Sequence, residues 1–324
     1  MSSYHLGRFT SALNGKPAHL FISTKANRKV QGKDDLKSNQ AVTFCVVSHS
    51  MARSIVENAP TLSANKMAVK FAGRLRDGGE DIITVCGGGC DKLLSNSCYV
   101  QHNVQALGEP MRVVRDALHG VTVEQLDAMT DGLDLRYLAT ILDRVARVRS
   151  GDIARLMIAG STSALPVDMS TPLIATLRAH QLEIVAYVEQ WRDRPDLMSS
   201  HMASVTTREE AHEAESLGWR TFLTGKAEDL GTQLVKGETV CPSSKAFINM
   251  RGRAVACSEC KLCNGAKDGD TRSRRIVNFN HASGQASRIG SLVRKGKLSP
   301  FVVASSGRVV GHLVKDPQPM TVAA

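Results

Sequence analysis

Between residues 81 and 223 the chain alternates short apolar strands with amphipathic helices, and that alternation restricts its architecture more than any other feature. Asp81-Ile-Ile-Thr-Val85, Arg155-Leu-Met-Ile-Ala159, Leu182 to Val188, His201 to Val205 and Trp219 to Leu223 read as strands. Pro110 to Leu118, Thr122 to Met129, Leu133 to Arg149, Thr171 to His180 and Thr207 to Leu217 read as helices. Leu138, Ile141, Leu142, Val145 and Val148 recur at helical spacing ahead of a stop at Gly151. Thr122 with Gln125 has the form of a capping box. Strands joined by helices pair in parallel, because a right-handed crossover returns the chain to the same edge. No dinucleotide glycine fingerprint follows the first strand, so the pattern predicts an α/β fold built as a partial (β/α) TIM-like barrel. In that architecture reactive residues gather at the C-terminal ends of strands.

The organisation expected around this repeat has four parts. Residues 1–80 form a basic segment with strands at His19 to Ile22 and Val42 to Val47, packed on the barrel. Residues 81–235 form the βα repeat, 236–283 a cysteine-rich segment with a return strand at Ile276 to Phe279, and 284–324 a basic tail. Within the tail, Phe301 to Ala304 and Arg308 to Val314 read as a hairpin. No apolar run reaches the roughly 18 residues of a spanning helix, and Met1 to Asn14 lacks a secretory apolar core, so a cytoplasmic protein with no membrane partner is expected.

Eight cysteines occur, seven of them in two groups. Without an export signal they read as reduced metal ligands rather than disulfides. Cys86, Cys90 and Cys98 follow the first strand of the repeat, and Gly87, Gly88 and Gly89 between them let backbone amides approach a bulky anionic cluster. Three thiolates are one short of a closed tetrahedral site, and an iron-sulfur cluster, a zinc site and unligated cysteines all remain open for this group. Cys241, followed by Cys257-x2-Cys260-x2-Cys263, supplies four, enough for a closed iron-sulfur cluster or a structural zinc. Cys45, inside the apolar run Val42 to Val47, reads as a small buried hydrophobe.

Taken together, Ile82-Ile-Thr-Val-Cys-Gly-Gly-Gly-Cys90 with Cys98-Tyr99, the βα repeat, and Cys241-Pro242 with Cys257-Ser-Glu-Cys-Lys-Leu-Cys263 resemble a family of phage-encoded, radical-SAM-like iron-sulfur proteins. The resemblance spans roughly residues 40 to 282. It implies a partial barrel of radical SAM type in which Cys86, Cys90 and Cys98 hold a [4Fe-4S] cluster, with S-adenosylmethionine on the open iron and the later four cysteines at an auxiliary iron-sulfur or zinc site. Gly87, Gly88, Gly89, Tyr99, Gly160, Ser161 and Asp168 fall at positions that would surround the cofactor. The chain departs from the family's usual x3-then-x2 ligand spacing, since seven residues separate Cys90 from Cys98 and Tyr99 follows the last cysteine. Gly160-Ser161 also stands where relatives carry an acid, with Asp168 nearby.

Charge suggests the substrate. The net charge is +10, concentrated in the first 40 residues and after residue 263, with a near-neutral middle, a distribution suited to phosphates. Arg272, Arg274 and Arg275 are candidates for phosphate contact, and Tyr187, Glu189 and His281 for contact with the reacting group at strand ends. Aromatic residues make up only 4% of the chain, too few to favour a base-stacking platform. The resulting expectation is a radical SAM isomerase that rearranges a glycine-derived adduct on thymidine in phage DNA, working with a reductant on DNA or a modified nucleotide in the host cytoplasm. The alternative is a zinc-stabilised nucleic-acid-binding protein without catalysis.

Overall fold

The structure, a computed structural model, describes residues 3–24, 41–59, 61–64, 66, 80–86, 104–144, 152–225, 234–242, 255, 257–267, 270, 274–279, 301–303 and 309–312. They divide into two compact units, one of Met1–Ala26, Asn39–Ile184 and Val188–Gln190, the other of Asn27–Ser38, Val185–Tyr187 and Trp191–Ala324.

The first unit begins with an antiparallel meander of β1 (Ser3–Thr10), β2 (Pro17–Ser23) and β3 (Ala41–Ser48). Phe9, Leu20, Phe21, Ile22, Phe44 and Val46 are fully or almost fully buried, as expected of strands covered on both faces. Next come α1 (His49–Asn58), α2 (Glu80–Cys86), α3 (Val104–Ala117), α4 (Val123–Asp127), the short strand β4 (Gly132–Leu133) and α5 (Leu135–Arg144). β5 (Ile153–Arg155), a 3-10 turn (Thr162–Ala164), α6 (Val167–Ala179) and β6 (Glu183–Val185) follow. The sheet runs β4-β1-β2-β3-β5-β6, and it turns from antiparallel to parallel where β3 meets β5. Met51, Ala52 and Ile55 of α1 and Met111, Val113, Val114 and Leu118 of the α3 region pack over Phe21, Cys45 and Val47.

The second unit is a sheet in the order β10-β11-β9-β8-β7, built from β7 (Tyr187–Val188), β8 (Met202–Val205), β9 (Thr221–Gly225), β10 (Glu238–Val240) and β11 (Arg275–Phe279). Its β8/β9, β9/β11 and β10/β11 pairs are parallel. α7 (Arg208–Ser216) links β8 to β9, starting where Thr207 accepts from the amide of Glu210. Trp191 and Trp219 are buried edge to face with centroids 6.5 Å apart. A separate antiparallel hairpin, β12 (Phe301–Val303) with β13 (Val309–His312), matches the one read from the tail. The fold is thus α/β with parallel strands in both units, compatible with a partial α/β barrel.

One element differs in kind from the sequence reading. Asp81 to Val85 is helical within α2, although its β-branched residues favour a strand. Both edges of β3 are occupied, one by β2 and the other by β5 and the residues after it, where Ile158 N donates to Phe44 O at 2.7 Å and Val46 N to Ala159 O at 3.0 Å. No edge of β3 remains for residues 81–85. Asp81 instead takes hydrogen bonds from Ser48 Oγ at 2.5 Å and from Ser50 Oγ, which fix the first turn of α2 beside the start of α1. Two elements also gain residues: α3 begins at Val104 and carries Pro110 inside it, and α6 begins at Val167. Val145, Val148 and Gly151 lie outside the described residues.

Candidate metal centres and their surroundings

Cys86 ends α2, so the first cysteine group departs from a helix rather than from a strand. Four anchors hold that helix end. Thr84 O accepts from Ser11 Oγ at 2.6 Å and Thr84 Oγ1 from Asn14 Nδ2 at 2.9 Å, which ties α2 to the turn after β1. Val85 O accepts from Ser161 N at 2.7 Å, and Cys86 O from Gln190 Nε2 at 2.7 Å. Carbonyls at a helix C-terminus have no partner within the helix, so these side-chain and backbone donors supply what the helix cannot.

The same corner explains Gly160. Its φ of +81° lies in the left-handed region, and a Cβ there would sit 3.0 Å from both Cβ and O of Val46 and 3.4 Å from Val85 O. Ser161 follows with its backbone on Val85, and its hydroxyl accepts from Ser163 N at 3.3 Å and donates to Gln190 Oε1 at 3.3 Å. Cys86, Gly160, Ser161 and Gln190 therefore meet at one place. Asp168 lies in the first turn of α6 and is exposed. Gly87, Gly88, Gly89, Cys90, Cys98 and Tyr99 lie outside the described residues. Gln190 was not identified from the sequence, because nothing in its spacing marks an amide that folds back to a helix end.

In the second unit, Cys241 continues from the C-terminal end of β10, its amide donating to Val277 O at 2.8 Å. The chain then returns: Val255 N donates to Pro242 O at 3.3 Å, just before the one-turn helix α8 (Cys257–Cys260). Lys261 leaves α8 with φ +50°, its amide on Cys257 O at 3.0 Å, and turns the chain toward Cys263. The far side of this loop is clamped. Buried Arg220 donates Nη1 to Asn264 O at 2.7 Å, and Ala266 N donates to Met198 O at 3.0 Å. Gly265 passes so close to Met198 to Ser200 that a Cβ would lie 2.3 Å from Ser200 N.

This folding brings distant cysteines into electrostatic reach of one another. Burial pushes the Cys260 thiol well above its ordinary range, and the neighbouring charges of Cys263, Cys241 and Cys257 push it further. A buried thiol among thiolates is an environment that a bound cation would relieve. The donor chemistry of Cys241, Cys257, Cys260 and Cys263 suits a thiophilic metal or cluster. Among the described residues, however, no group of three or more His, Cys, Asp or Glu side chains is arranged to hold a metal ion. None of the six described cysteines is in a disulfide. Cys45 is buried, and burial, with a smaller contribution from Glu109, raises its thiol well above the usual range.

The remaining candidates separate. Tyr187 stacks on Phe222 with centroids 4.2 Å apart, Glu189 is half-buried, and Trp191 is covered by the Arg192 guanidinium 4.1 Å above its ring. His201 is buried with Nδ1 2.8 Å from Ser200 Oγ. His281 and Arg272 lie outside the described residues. Arg274 is exposed. Arg275 turns inward: its guanidinium meets both oxygens of Glu215 at 3.0 Å and Glu238 Oε1 at 3.2 Å. Glu238 also takes two hydrogen bonds from Arg208, at 2.8 and 3.1 Å, so the four residues alternate in charge at the start of β10 and β11.

Comparison with protein-family models, curated proteins and solved structures found no significant match. Among the described residues, no helix is long and apolar enough to cross a membrane.

Proposed function

We propose that this protein is an iron-sulfur enzyme of the radical SAM type that modifies a nucleic-acid base, with isomerisation of a glycine-derived adduct on thymidine in phage DNA as its reaction. The observation that supports the reading is the return of the chain at Val255 to Pro242, which brings the segment of Cys257, Cys260 and Cys263 back beside the end of β10 where Cys241 stands, within electrostatic reach of Cys260. In this reading those four hold the auxiliary cluster, and Cys86, Cys90 and Cys98 hold the [4Fe-4S] cluster that binds S-adenosylmethionine. When bound, cluster and S-adenosylmethionine supply one-electron chemistry and a carbon radical able to take hydrogen from an unactivated position.

The chain's own contribution is placement. α2 is held by Ser48, Ser50, Ser11, Asn14, Ser161 and Gln190, so Cys86 leaves a fixed helix end rather than a free loop. Gly160 allows Ser161 to lie against that end, where no larger side chain would intervene. Ser161 and Gln190 offer neutral hydrogen-bonding groups beside Cys86 in place of an acid. The excess of positive charge, including exposed Arg274, favours a polyphosphate substrate.

The experiment is anaerobic turnover with a strong reductant. The reading predicts cleavage of S-adenosylmethionine to 5′-deoxyadenosine, lost in Cys86→Ala and Cys90→Ala. Iron-loaded protein that leaves S-adenosylmethionine intact would refute it.

A further inference from the structure

Two polar atoms stand unsatisfied side by side at one end of the second unit's sheet. Thr224 Oγ1 and Asn278 Oδ1 are buried and make no hydrogen bond. Their residues are direct partners in the parallel β9/β11 ladder, so the two side chains share a face. Cys241 extends the same row, since its amide donates to Val277 O at 2.8 Å and so places it opposite Asn278. Adjacent strands lie about 4.8 Å apart, and the row from Thr224 to Cys241 therefore spans roughly 10 Å. Thr206 stands next in the row beyond β8, but its amide and hydroxyl are both engaged by Glu210 Oε2, at 2.8 and 3.1 Å. These strands run parallel, and the row lies at their C-terminal ends, where open α/β sheets hold ligands.

The face can be assigned from α7. Glu215 of that helix takes hydrogen bonds from Thr221 Oγ1 at 2.8 Å and Arg275 Nε at 3.0 Å, and Arg208 reaches Glu238 at 2.8 Å. Side chains alternate along a strand. Thr224, Asn278 and Cys241 each stand three residues after one of these α7-facing positions, so they point to the opposite face. Phe222, two residues before Thr224, shares that face, and Tyr187 stacks on it with centroids 4.2 Å apart.

Buried polar atoms without partners are uncommon in folded proteins, and two adjacent ones call for a reason. Thr224 and Asn278 each keep part of their surface in solvent. Rotation about Thr224 χ1 or Asn278 χ2 therefore turns the buried atom toward a ligand.

We propose that Thr224 and Asn278 read the edge of the substrate base. A hydroxyl that donates beside an amide oxygen that accepts fits a ligand with an acceptor next to an N-H donor. Thymine's imide offers this pair, N3-H to Asn278 Oδ1 and a ring carbonyl from Thr224 Oγ1. The Tyr187–Phe222 pair gives the planar base an apolar neighbour on the same face. The choice of thymine rests on the substrate proposed above; the row does not depend on what the cysteines hold.

The test is isothermal titration of the full-length protein with thymidine 5′-monophosphate and with its N3-methyl analogue, which lacks the donor. Wild type should bind the methylated nucleotide roughly tenfold more weakly, the scale of one well-placed base contact. Thr224→Val and Asn278→Leu should lose that preference by weakening thymidine 5′-monophosphate. Their urea midpoints should stay level or rise, because each change removes an unpaired buried atom. A purely structural pair would lose stability and keep the preference. Equal binding of the two nucleotides by wild type, no binding of either, or a preference that both variants retain overturns the proposal. Any of these results alongside cleavage of S-adenosylmethionine strikes this inference alone, whereas imide-selective binding without cleavage strikes only the iron-sulfur reading.

Discussion

Replacing Arg275 by methionine should unfold the second unit more readily while leaving phosphate binding unaffected. Arg275 is 4% exposed and makes a two-pronged contact with Glu215 and a further one with Glu238, whose side chain is fully buried. Methionine keeps much of the packing but leaves both carboxylates short of a cation, and removing one partner of a buried ion pair costs about 3–5 kcal/mol. Glu238 retains Arg208, which places the expected loss toward about 3 kcal/mol. For a folding unit of this size that corresponds to a fall of roughly 6–12 °C in Tm. The assay is urea unfolding followed by tryptophan fluorescence, because the chain's 2 tryptophans, Trp191 and Trp219, are packed on each other inside this unit. Exposed Arg274 supplies the control, since Arg274→Met should stay within about 0.5 kcal/mol of wild type. A double-mutant cycle with Glu215→Gln should show coupling of about 0.5–3 kcal/mol. If Arg275→Met costs less than about 1 kcal/mol, the strength assigned to buried pairs does not apply here. A fall in the salt dependence of DNA binding for Arg275→Met alone would return Arg275 to the role of a phosphate contact.

Further expectations concern pH, strain and thiol chemistry. Burial works to raise the Glu238 carboxyl, but the hydrogen bonds and charges of Arg208 and Arg275 outweigh it, so its folded pKa lies below 4.5, the ordinary value of a glutamate. Its contribution is therefore fully present above that value and is lost as pH falls through the lower folded one. Glu238→Gln should flatten the acid limb of a stability-pH curve, and an unchanged acid limb would contradict the assignment. Gly160→Ala should cost about 1–3 kcal/mol by circular dichroism, from a positive φ together with a Cβ pressed on Val46; a neutral outcome would mean the corner relaxes. Native protein should leave Cys45 unlabelled by iodoacetamide at neutral pH, because the buried thiol is held in its unreactive protonated form. Labelling of Cys45 without unfolding would contradict its burial.

Strands and helices with strong local signals were legible in the sequence. The capping box at Thr122 and Gln125 forms as written, and Leu138, Ile141 and Leu142 face the core as their spacing required. Ile276 to Phe279 returns as β11 between β9 and β10. The helix at 80–86 was not legible, because the outcome depends on β5 occupying the edge of β3, a contact between residues more than a hundred positions apart. β1 escaped notice because the bulge at Leu6 breaks the alternation that would reveal a strand. β10 has only three residues, too few for a period. Cysteine spacing pointed to one group of four, and the chain does return Val255 to Pro242 beside Cys241, although no metal-holding group forms among the described residues. The inward turn of Arg275 could not be told from the outward Arg274 beside it, since charge pattern alone does not say which arginine meets a buried acid. His5, His19 and His49 carry no joint sequence signal, because they sit on β1, β2 and α1 and meet only once strands and helix have packed.

The central claim concerns what the two cysteine groups bind, and the most direct measurement is the iron, inorganic sulfide and zinc content of protein purified under strict anaerobiosis. The account predicts a brown protein with iron and sulfide in excess of zinc, losing part of that iron in Cys260→Ala and a separate part in Cys90→Ala. Colourless protein holding stoichiometric zinc and no sulfide would contradict it and leave a zinc-stabilised nucleic-acid-binding protein in its place.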